Sequence, residues 1–283
     1  MLPAAIFLAV LVGWPLVKLV VDSLYDFSPL AGTREFVGLG NYTEALGSEA
    51  FTSSAVRTAI YTVIVVSMEF LLGLATALMF NALGQRSAGL RTLFLYPLMI
   101  APIVAGLLWR FLLIDNFGIV NHLLTRIGII ESPDAIAWLS DPDIALFSVA
   151  IPDIWLTTSF MTLILFAGLQ NLSPDILEAA RLDGAGPVQI LWRIILPLLR
   201  PVIAVALIIR GIDAARAFDI ILIQTNGGPE DATTTLSLLI YRTMVRFDQP
   251  GLASAMGTLY LLAMLAVAMV AVATIWKPGK GQS

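Results

Sequence analysis

Ionisable and aromatic residues interrupt the long apolar stretches of this sequence at a few positions. The six residues that could do chemistry there are Glu69, Arg110, Asp153, Trp155, Arg210 and Asp213. Charged groups inside a membrane are costly, so they usually face a cavity or an oppositely charged partner. Binding sites for polar solutes combine aromatic surfaces with a few well-placed polar groups. We therefore predict that these residues contribute to a substrate pathway for a polar solute.

Three of the charged residues have helical spacing that leaves two interpretations open. Arg210, Asp213 and Arg216 follow one another at intervals of three residues, so they share one helix face and can pair. One interpretation is an internal salt-bridge ladder that holds the protein together, and the spacing slightly favours it. The other is a polar cavity that hydrogen-bonds the hydroxyl groups of a substrate.

A second constellation is the short polar stretch EAARLDGAG at 178–186, which lies between two long apolar segments. Its surroundings predict a helix over 173–184, with Ser173 as the N-cap residue and Pro174 at the first helical position. Gly184 is expected to end the helix in a left-handed conformation. A helix this short is marginal in water by itself, so it needs a surface on which to dock.

The residue inventory argues against most kinds of enzyme. The chain has no cysteine and one histidine, His122, which we place in a loop and to which we assign no metal. No intramembrane pair of carboxylates has catalytic spacing, and no phosphate-binding loop of the G-x-x-x-x-G-K-[ST] type is present. We expect neither a catalytic residue nor a metal or cofactor bound by this chain.

Composition places the chain in a membrane. Hydrophobic residues make up 58% of the 283 residues and charged residues only 13%, where soluble domains carry about 25% charged residues. We predict an all-α polytopic membrane protein with six transmembrane helices in one transmembrane domain, 1–283. Each predicted span is long enough to cross about 30 Å of hydrocarbon. The spans are 2–24, 56–80, 92–114, 143–169, 194–218 and 252–276.

The distribution of charge orients these spans. The connections 81–91 and 170–193 and the tail 277–283 share one side and carry mainly basic residues, including Lys277 and Lys280. Most of the acidic residues lie in the connections on the opposite side. The positive-inside rule therefore places the EAARLDGAG stretch in the cytoplasm.

The stretch also resembles a known motif. Glu178-Ala179-Ala180, Gly184, Ile194 and Leu196-Pro197 have the spacing of the EAA loop in membrane subunits of binding-protein-dependent ABC importers. Further similarity to the maltose and glycerol-phosphate type of permease covers nearly the whole chain. It lies in FVGLGNYTEAL at 36–46, in the apolar segment 91–113 and in RGIDAARAFDIILIQTNGGPEDATTTL at 210–236.

This resemblance implies a type I ABC importer permease fold in which the EAA loop forms a cytoplasmic coupling helix. The helix would dock on a separate ATPase subunit, which would bind ATP and Mg²⁺. Carried over to this sequence, the ATPase-coupling residues are Glu178, Ala179, Ala180, Arg181, Asp183 and Gly184.

The resemblance also implies the partners and the location. The chain would form half of a heterodimeric permease with a second, different permease subunit. Two copies of an ABC ATPase and an extracytoplasmic solute-binding protein would complete the transporter in a bacterial or archaeal inner membrane. Lipid is the remaining partner, and no nucleic acid is expected.

Alternatives remain for the cargo and the class. The same importer class could carry a polyol, glycerol phosphate or a peptide in place of a sugar. A secondary transporter driven by an ion gradient would need no docking helix and often has paired discontinuous helices, which we do not find in the sequence. A membrane-embedded enzyme is disfavoured by the missing histidine cluster and cysteine.

Overall fold

The computed structural model describes residues 6–7 and 9–275, except for the side chains of 274 and 275. Helices dominate it. Helix α1 spans Trp14–Asp22 and follows a π-helical turn at Ala9–Gly13. The other helices are α2 (Gly40–Gly47), α3 (Glu49–Leu83), α4 (Ala88–Phe94), α5 (Pro102–Leu113), α6 (Ile119–Arg126), α7 (Pro142–Ser148), α8 (Ile151–Gln170), α9 (Pro174–Leu182), α10 (Pro187–Ile190), α11 (Leu196–Ala215), α12 (Asp219–Gln224), α13 (Leu236–Val245) and α14 (Pro250–Ile275).

Four helical stretches of the described residues are long and apolar enough to cross a membrane. They are Glu49–Met99, Pro142–Gln170, Pro187–Ala215 and Pro250–Ala273. These correspond to the second, fourth, fifth and sixth predicted spans. Helix α3 alone has 35 residues and is about 52 Å long, so it continues well beyond the hydrocarbon layer.

The predicted third span, 92–114, differs from one continuous helix. Helix α4 ends at Phe94, a 3₁₀ turn covers Tyr96–Met99, and α5 has only 12 residues, about 18 Å. Ala101 has an extended backbone, with ψ 137°, because the ring of the following Pro102 disfavours helical geometry in the preceding residue. The segment is therefore built in two pieces.

The ends of the predicted topology lie partly outside the described residues. Outside the described residues are 2–5 and 8 of the first predicted span, Trp276 at the end of the last span, and the tail with Lys277 and Lys280. The described part of the first span is helical up to Asp22, and no residue of Ala9–Asp22 is buried, whereas Ser23 directly after it is fully buried. The predicted number of six spans therefore stays a prediction.

A two-stranded antiparallel hairpin corrects the all-α prediction. Strands β1 (Tyr25–Ser28) and β2 (Thr33–Phe36) pair with Tyr25 opposite Phe36 and Ser28 opposite Thr33. Asn41 on α2 donates hydrogen bonds to the carbonyl oxygens of Ser23 and Tyr25, both at 2.9 Å. The hairpin is thereby attached to the start of the GNY segment.

The core lies where α3, α8 and α11 pack together. Its apolar members include Tyr61, Val65, Met161 and Leu165, each fully buried. Glycines allow the helix axes to approach closely. A β-carbon on Gly73 would lie 2.7 Å from Cγ of Met161, so only glycine fits there without a shift. Small residues serve the same purpose at other helix contacts in membranes.

Candidate coupling helix and buried charge cluster

Helix α9 begins and ends where the sequence predicts. Ser173 is the N-cap residue with extended backbone, although its side chain makes no capping hydrogen bond, and Pro174 follows at the first helical position. Gly184 adopts φ +80°. The amides of Gly184 and Ala185 donate to the carbonyl oxygens of Arg181 and Ala180, both at 3.0 Å. This pair of bonds is the Schellman arrangement, which satisfies the last carbonyls of a helix.

The predicted coupling residues divide into an exposed set and one buried member. Ala180 is only 8% exposed. Exposed members of the predicted set are Glu178, Ala179, Arg181, Asp183 and Gly184. Leu182, which the motif does not single out, is 88% exposed on the same helix. The structure thus shows a short amphipathic helix whose polar residues and two large apolar side chains, Leu182 and the 44% exposed Ile176, are open to contact.

A short turn and then a continuous helical path, Pro187–Ala215, follow α9. After α9 the chain turns through 183–186, α10 begins at Pro187, and a π-helical turn at Leu191–Ile195 runs into α11. Movement of α9 would therefore reach α11 over a short distance.

Arg210 on α11 is the centre of a buried charge cluster. Its Nε and Nη2 donate hydrogen bonds to the two carboxylate oxygens of Glu69 on α3, both at 2.7 Å. Nη2 also lies 3.3 Å from Oδ1 of Asp153 on α8, and Nη1 pairs with Asp213 one turn further along α11. The relative exposures of Arg210, Glu69 and Asp153 are only 2%, 0% and 7%.

Uncharged groups complete the cluster. The hydroxyl of Tyr61 on α3 donates to Oδ2 of Asp153 at 3.1 Å. The hydroxyl of Thr157 on α8 bonds the Glu69 carboxylate and the carbonyl oxygen of Asp153. Each buried charge thus has several partners, which is the condition for a buried ion cluster to be tolerated. The cluster joins α3, α8 and α11 at one level.

The pairs predicted from spacing are present, with Asp213 Oδ1 3.3 Å from Arg216 Nη2. Sequence reasoning missed that the Arg210 guanidinium faces two further carboxylates on other helices. All three of its nitrogens are engaged, so it supports the packing in this conformation. Asp213 and Arg216 have side chains that are 55% and 63% exposed, and these two are the accessible members of the ladder.

The remaining pathway residues lie apart from the cluster. The rings of Trp155 on α8 and Trp109 on α5 pack edge to face, with centroids 6.0 Å apart. Arg110 donates to the carbonyl oxygen of Ile223 at 3.0 Å, which ties α5 to α12. Trp155 is 37% exposed. The Thr158 and Ser159 hydroxyls donate to the backbone of their own helix, and both residues are buried.

A groove of about 950 Å³ lies between α3, α11 and α14. Small and aliphatic residues line most of it, and Arg200 lies at its border. None of the six predicted pathway residues is part of its lining. Its apolar walls suit lipid or another apolar surface better than the hydroxyl groups of a sugar.

The TNGGP segment after α12 is held by Arg242 on α13. Arg242 Nη1 donates to Asp231 Oδ1 at 2.6 Å, and Nη2 donates to the carbonyl oxygen of Asn226. Hydrogen bonding to Arg242 holds the pKa of the Asp231 carboxyl below its ordinary value. Asn226 and Asp231 both have positive φ, 49° and 59°, so this loop has a defined and unusual backbone.

The structure corrects the predicted position of His122. The sequence predicts a loop there, but His122 lies on α6. The groups of histidine and acidic residues needed for a metal site do not occur within the described residues.

Comparison with known proteins shows that this chain is similar to one family of transport proteins. A family model described as "Binding-protein-dependent transport system inner membrane component" matches residues 69–276. A trehalose/maltose transport system permease protein of Thermococcus litoralis is 40% identical over 84% of this chain and 79% of its own length. A sulfoquinovosyl glycerol permease protein of Agrobacterium fabrum is 35% identical over 95% of this chain and 86% of its own.

Two further similarities concern cargo and fold. An sn-glycerol-3-phosphate permease protein of Yersinia pestis is 32% identical over 85% of this chain and 80% of its own length. A chain of a bacterial ABC transporter for import of the acidic polysaccharide alginate superimposes with a TM-score of 0.83. It covers 99% of this chain and 94% of its own at 23% identity, and this similarity shows the fold.

Proposed function

The chain belongs to the family of binding-protein-dependent transport system inner membrane components and is a permease subunit of an ABC sugar importer, and we propose that α9 couples it to a separate ATPase. The expected resemblance to sugar and glycerol-phosphate permeases is thereby confirmed. Proteins of this family are transport components, and we assign ATP binding and hydrolysis with Mg²⁺ to the partner subunit.

The observation that carries the coupling proposal is the exposed, well-terminated helix α9. Its length is fixed by Pro174 and Gly184, and its polar side chains face outward beside the exposed Leu182. A short helix of this kind gains stability from docking. Glu178 can pair with a basic group of the ATPase, while Ala179 allows the two surfaces to approach closely.

The connection to α11 gives this docking an effect inside the membrane. When the ATPase subunits close, the docked α9 would be displaced as a rigid unit, and the following α10 and π-helical turn would pass the displacement to α11. The Arg210 cluster would then carry it to α3 and α8, because the three helices share one set of ion pairs.

The proposed assembly contains a second permease chain, two ATPase subunits and an extracytoplasmic binding protein. A related structure, the alginate transporter in complex with an alginate pentasaccharide-bound periplasmic protein, supports the last of these partners. The most apolar stretches of Pro187–Ala215 and Pro250–Ala273, which contain α11 and α14, are each only 17% buried within this chain. This exposed apolar surface supports contact with another membrane chain or with lipid.

We assign the cargo to the sugars and related polyhydroxylated solutes, because the relatives with the highest identities above carry such names. Glycerol phosphate is the second candidate, favoured by the Yersinia relative. Within the pathway we propose that Asp213, Arg110 and Trp155, which remain accessible, contact the solute. Glu69, Asp153 and Arg210 hold the surrounding helices in place.

The decisive experiment reverses the charge at Glu178. The chain is reconstituted in liposomes with its partner subunits and its binding protein, and ATP-dependent uptake of radiolabelled sugar is measured. We expect Glu178→Lys to abolish uptake while membrane insertion and thermal stability stay unchanged. Asp175→Lys, in the first turn of the same helix, is the matched control and should keep most of the uptake. Full uptake by Glu178→Lys would overturn the coupling role.

A further inference from the structure

Helix α6 displays an apolar stripe that the transport function does not use. Ile119, Leu123 and Ile127 follow one another at intervals of four residues, so they lie on one face. Their side chains are 53%, 53% and 66% exposed. The flanking Phe117 and Ile129 extend the stripe and are 86% and 66% exposed. This is a large apolar surface for a segment that connects two spans.

The opposite face of α6 is fixed by a single buried side chain. Asn121 is 1% exposed, and its Nδ2 lies 3.0, 2.8 and 2.8 Å from the carbonyl oxygens of Asp115, Pro133 and Ile136. Its Oδ1 accepts a hydrogen bond from Nε1 of Trp138 at 2.6 Å. The helix therefore cannot rotate to hide its stripe without breaking this network.

The position of α6 relative to the membrane follows from its neighbour. It begins six residues after Leu113, the last residue of α5, and packs against that helix. Phe111, near the same end of α5, is 63% exposed, so the apolar surface continues from α5 to α6. With eight residues, α6 is about 12 Å long and cannot cross the hydrocarbon layer. Its packing against α5 and the shared apolar surface place it beside this end of α5.

Basic side chains flank the stripe. His122 and Arg126 are both exposed and four residues apart, next to the apolar face. Helices that lie in a membrane interface combine an apolar face with basic residues at the headgroup level. Exposed apolar patches mark either membrane or protein contacts, and the basic flank together with the apolar surface shared with α5 favours the membrane.

We propose that α6 is an interfacial helix that inserts Ile119, Leu123 and Ile127 between the headgroups and acyl chains of the external leaflet. Arg126 then lies at the level of the lipid phosphates. This contact fixes the depth of the outer end of α5, which otherwise has only about 18 Å of helix. The inference requires the chain to be in a membrane, but it requires neither a particular cargo nor coupling through α9.

The absence of cysteine from this chain permits site-specific labelling, with partner subunits whose accessible cysteines have been replaced by serine. Single variants Leu123→Cys and Ile127→Cys are labelled with a nitroxide in the full transporter, in nanodiscs of phosphatidylethanolamine and phosphatidylglycerol. Collision with oxygen, which concentrates in the lipid, is compared with collision with a water-soluble nickel chelate. Glu131→Cys, exposed in the same loop, is the matched control.

We expect both stripe labels to be mobile, accessible to oxygen and protected from nickel, and the Glu131 label to show the reverse. Nickel accessibility at both stripe positions would overturn the proposal. Immobile stripe labels closed to both reagents would also overturn it, and would indicate the second permease chain. If protection appeared only after the binding protein was added, that protein would be the partner of the stripe. If labelling at Leu123 or Ile127 lowers the melting temperature, Ile119→Cys is labelled in place of that variant.

Discussion

The guanidinium of Arg210 on α11 meets the carboxylate of Glu69 on α3 through two hydrogen bonds, both at 2.7 Å. Neither side chain has more than 3% of its surface exposed. Loss of Arg210 would leave the buried Glu69 and Asp153 carboxylates without their cation, whereas loss of the Glu69 charge leaves Arg210 paired with Asp153 and Asp213. The relationship therefore predicts an asymmetric response to substitution.

We expect Glu69→Gln to lower the free energy of unfolding by about 1–3 kcal/mol, because it weakens two buried hydrogen bonds of Arg210. The loss is measured as a lower thermal midpoint of the detergent-solubilised protein. Glu44→Gln, at an exposed position, should change the free energy of unfolding by less than about 0.5 kcal/mol. Arg210→Met leaves the buried carboxylates of Glu69 and Asp153 without their shared cation, so it should cost more, about 3–5 kcal/mol. Equal midpoints for Glu69→Gln and the wild type would contradict the cluster.

Gly184 offers a test of the helix end in α9. Its φ of +80° is unfavourable for a residue with a β-carbon, and no atom lies within 4 Å of the place a β-carbon would occupy. Gly184→Ala should therefore cost about 1–2 kcal/mol for conformational reasons alone. We expect faster hydrogen exchange of the Ala185 amide. Gly186→Ala is the control, because a β-carbon there also meets no atom within 4 Å but the backbone has φ −72°. Faster exchange in both variants would count against the explanation.

Asn41 predicts the behaviour of the hairpin. It is 5% exposed, and Asn41→Ala leaves the Ser23 and Tyr25 carbonyl oxygens without its amide. The cost of such unsatisfied groups is about 1–3 kcal/mol each. We expect increased hydrogen exchange in β1 and β2, whereas Thr43→Ala, which removes an exposed bond to its own helix, should leave the hairpin unchanged. A hairpin equally protected in Asn41→Ala would refute this role.

The Asp231–Arg242 pair predicts a pH dependence in the TNGGP loop. The pKa of Asp231 is lowered by its hydrogen bond to Arg242, so its contribution to stability is complete above the unfolded value of about 3.9. That contribution is lost as the pH falls through the lower, folded value. We expect the wild type to have a higher melting temperature than Asp231→Asn at neutral pH. The difference should close below about pH 4, and a constant difference down to lower pH would contradict the pair.

Features that depend on neighbouring residues could be predicted from the sequence, whereas contacts between residues far apart in the chain could not. The ends of α9 follow from Pro174 and Gly184, and the Arg210–Asp213 pair follows from a spacing of three. Glu69 is 141 residues from Arg210, so no local spacing could bring the two together. The hairpin escaped prediction because its strands have four residues each, too few to show alternation.

The two-piece construction of the third predicted span shows another limit. Hydropathy over 92–114 is that of a continuous helix, and only Pro97 and Pro102 signal a break. A proline inside an apolar segment can also be accommodated by a kink. The choice between a kink and a full break depends on the packing of α5 against α8 and α12, which composition does not encode.

The shared ion pairs of α3, α8 and α11 also restrict how the protein can change shape. Helices joined by buried charges at one level cannot slide past one another without exposing those charges to hydrocarbon. Conformational change in this chain is therefore confined to the borders of this three-helix block. There, α5 and α14 make contacts that permit shear by small displacements of packed helices.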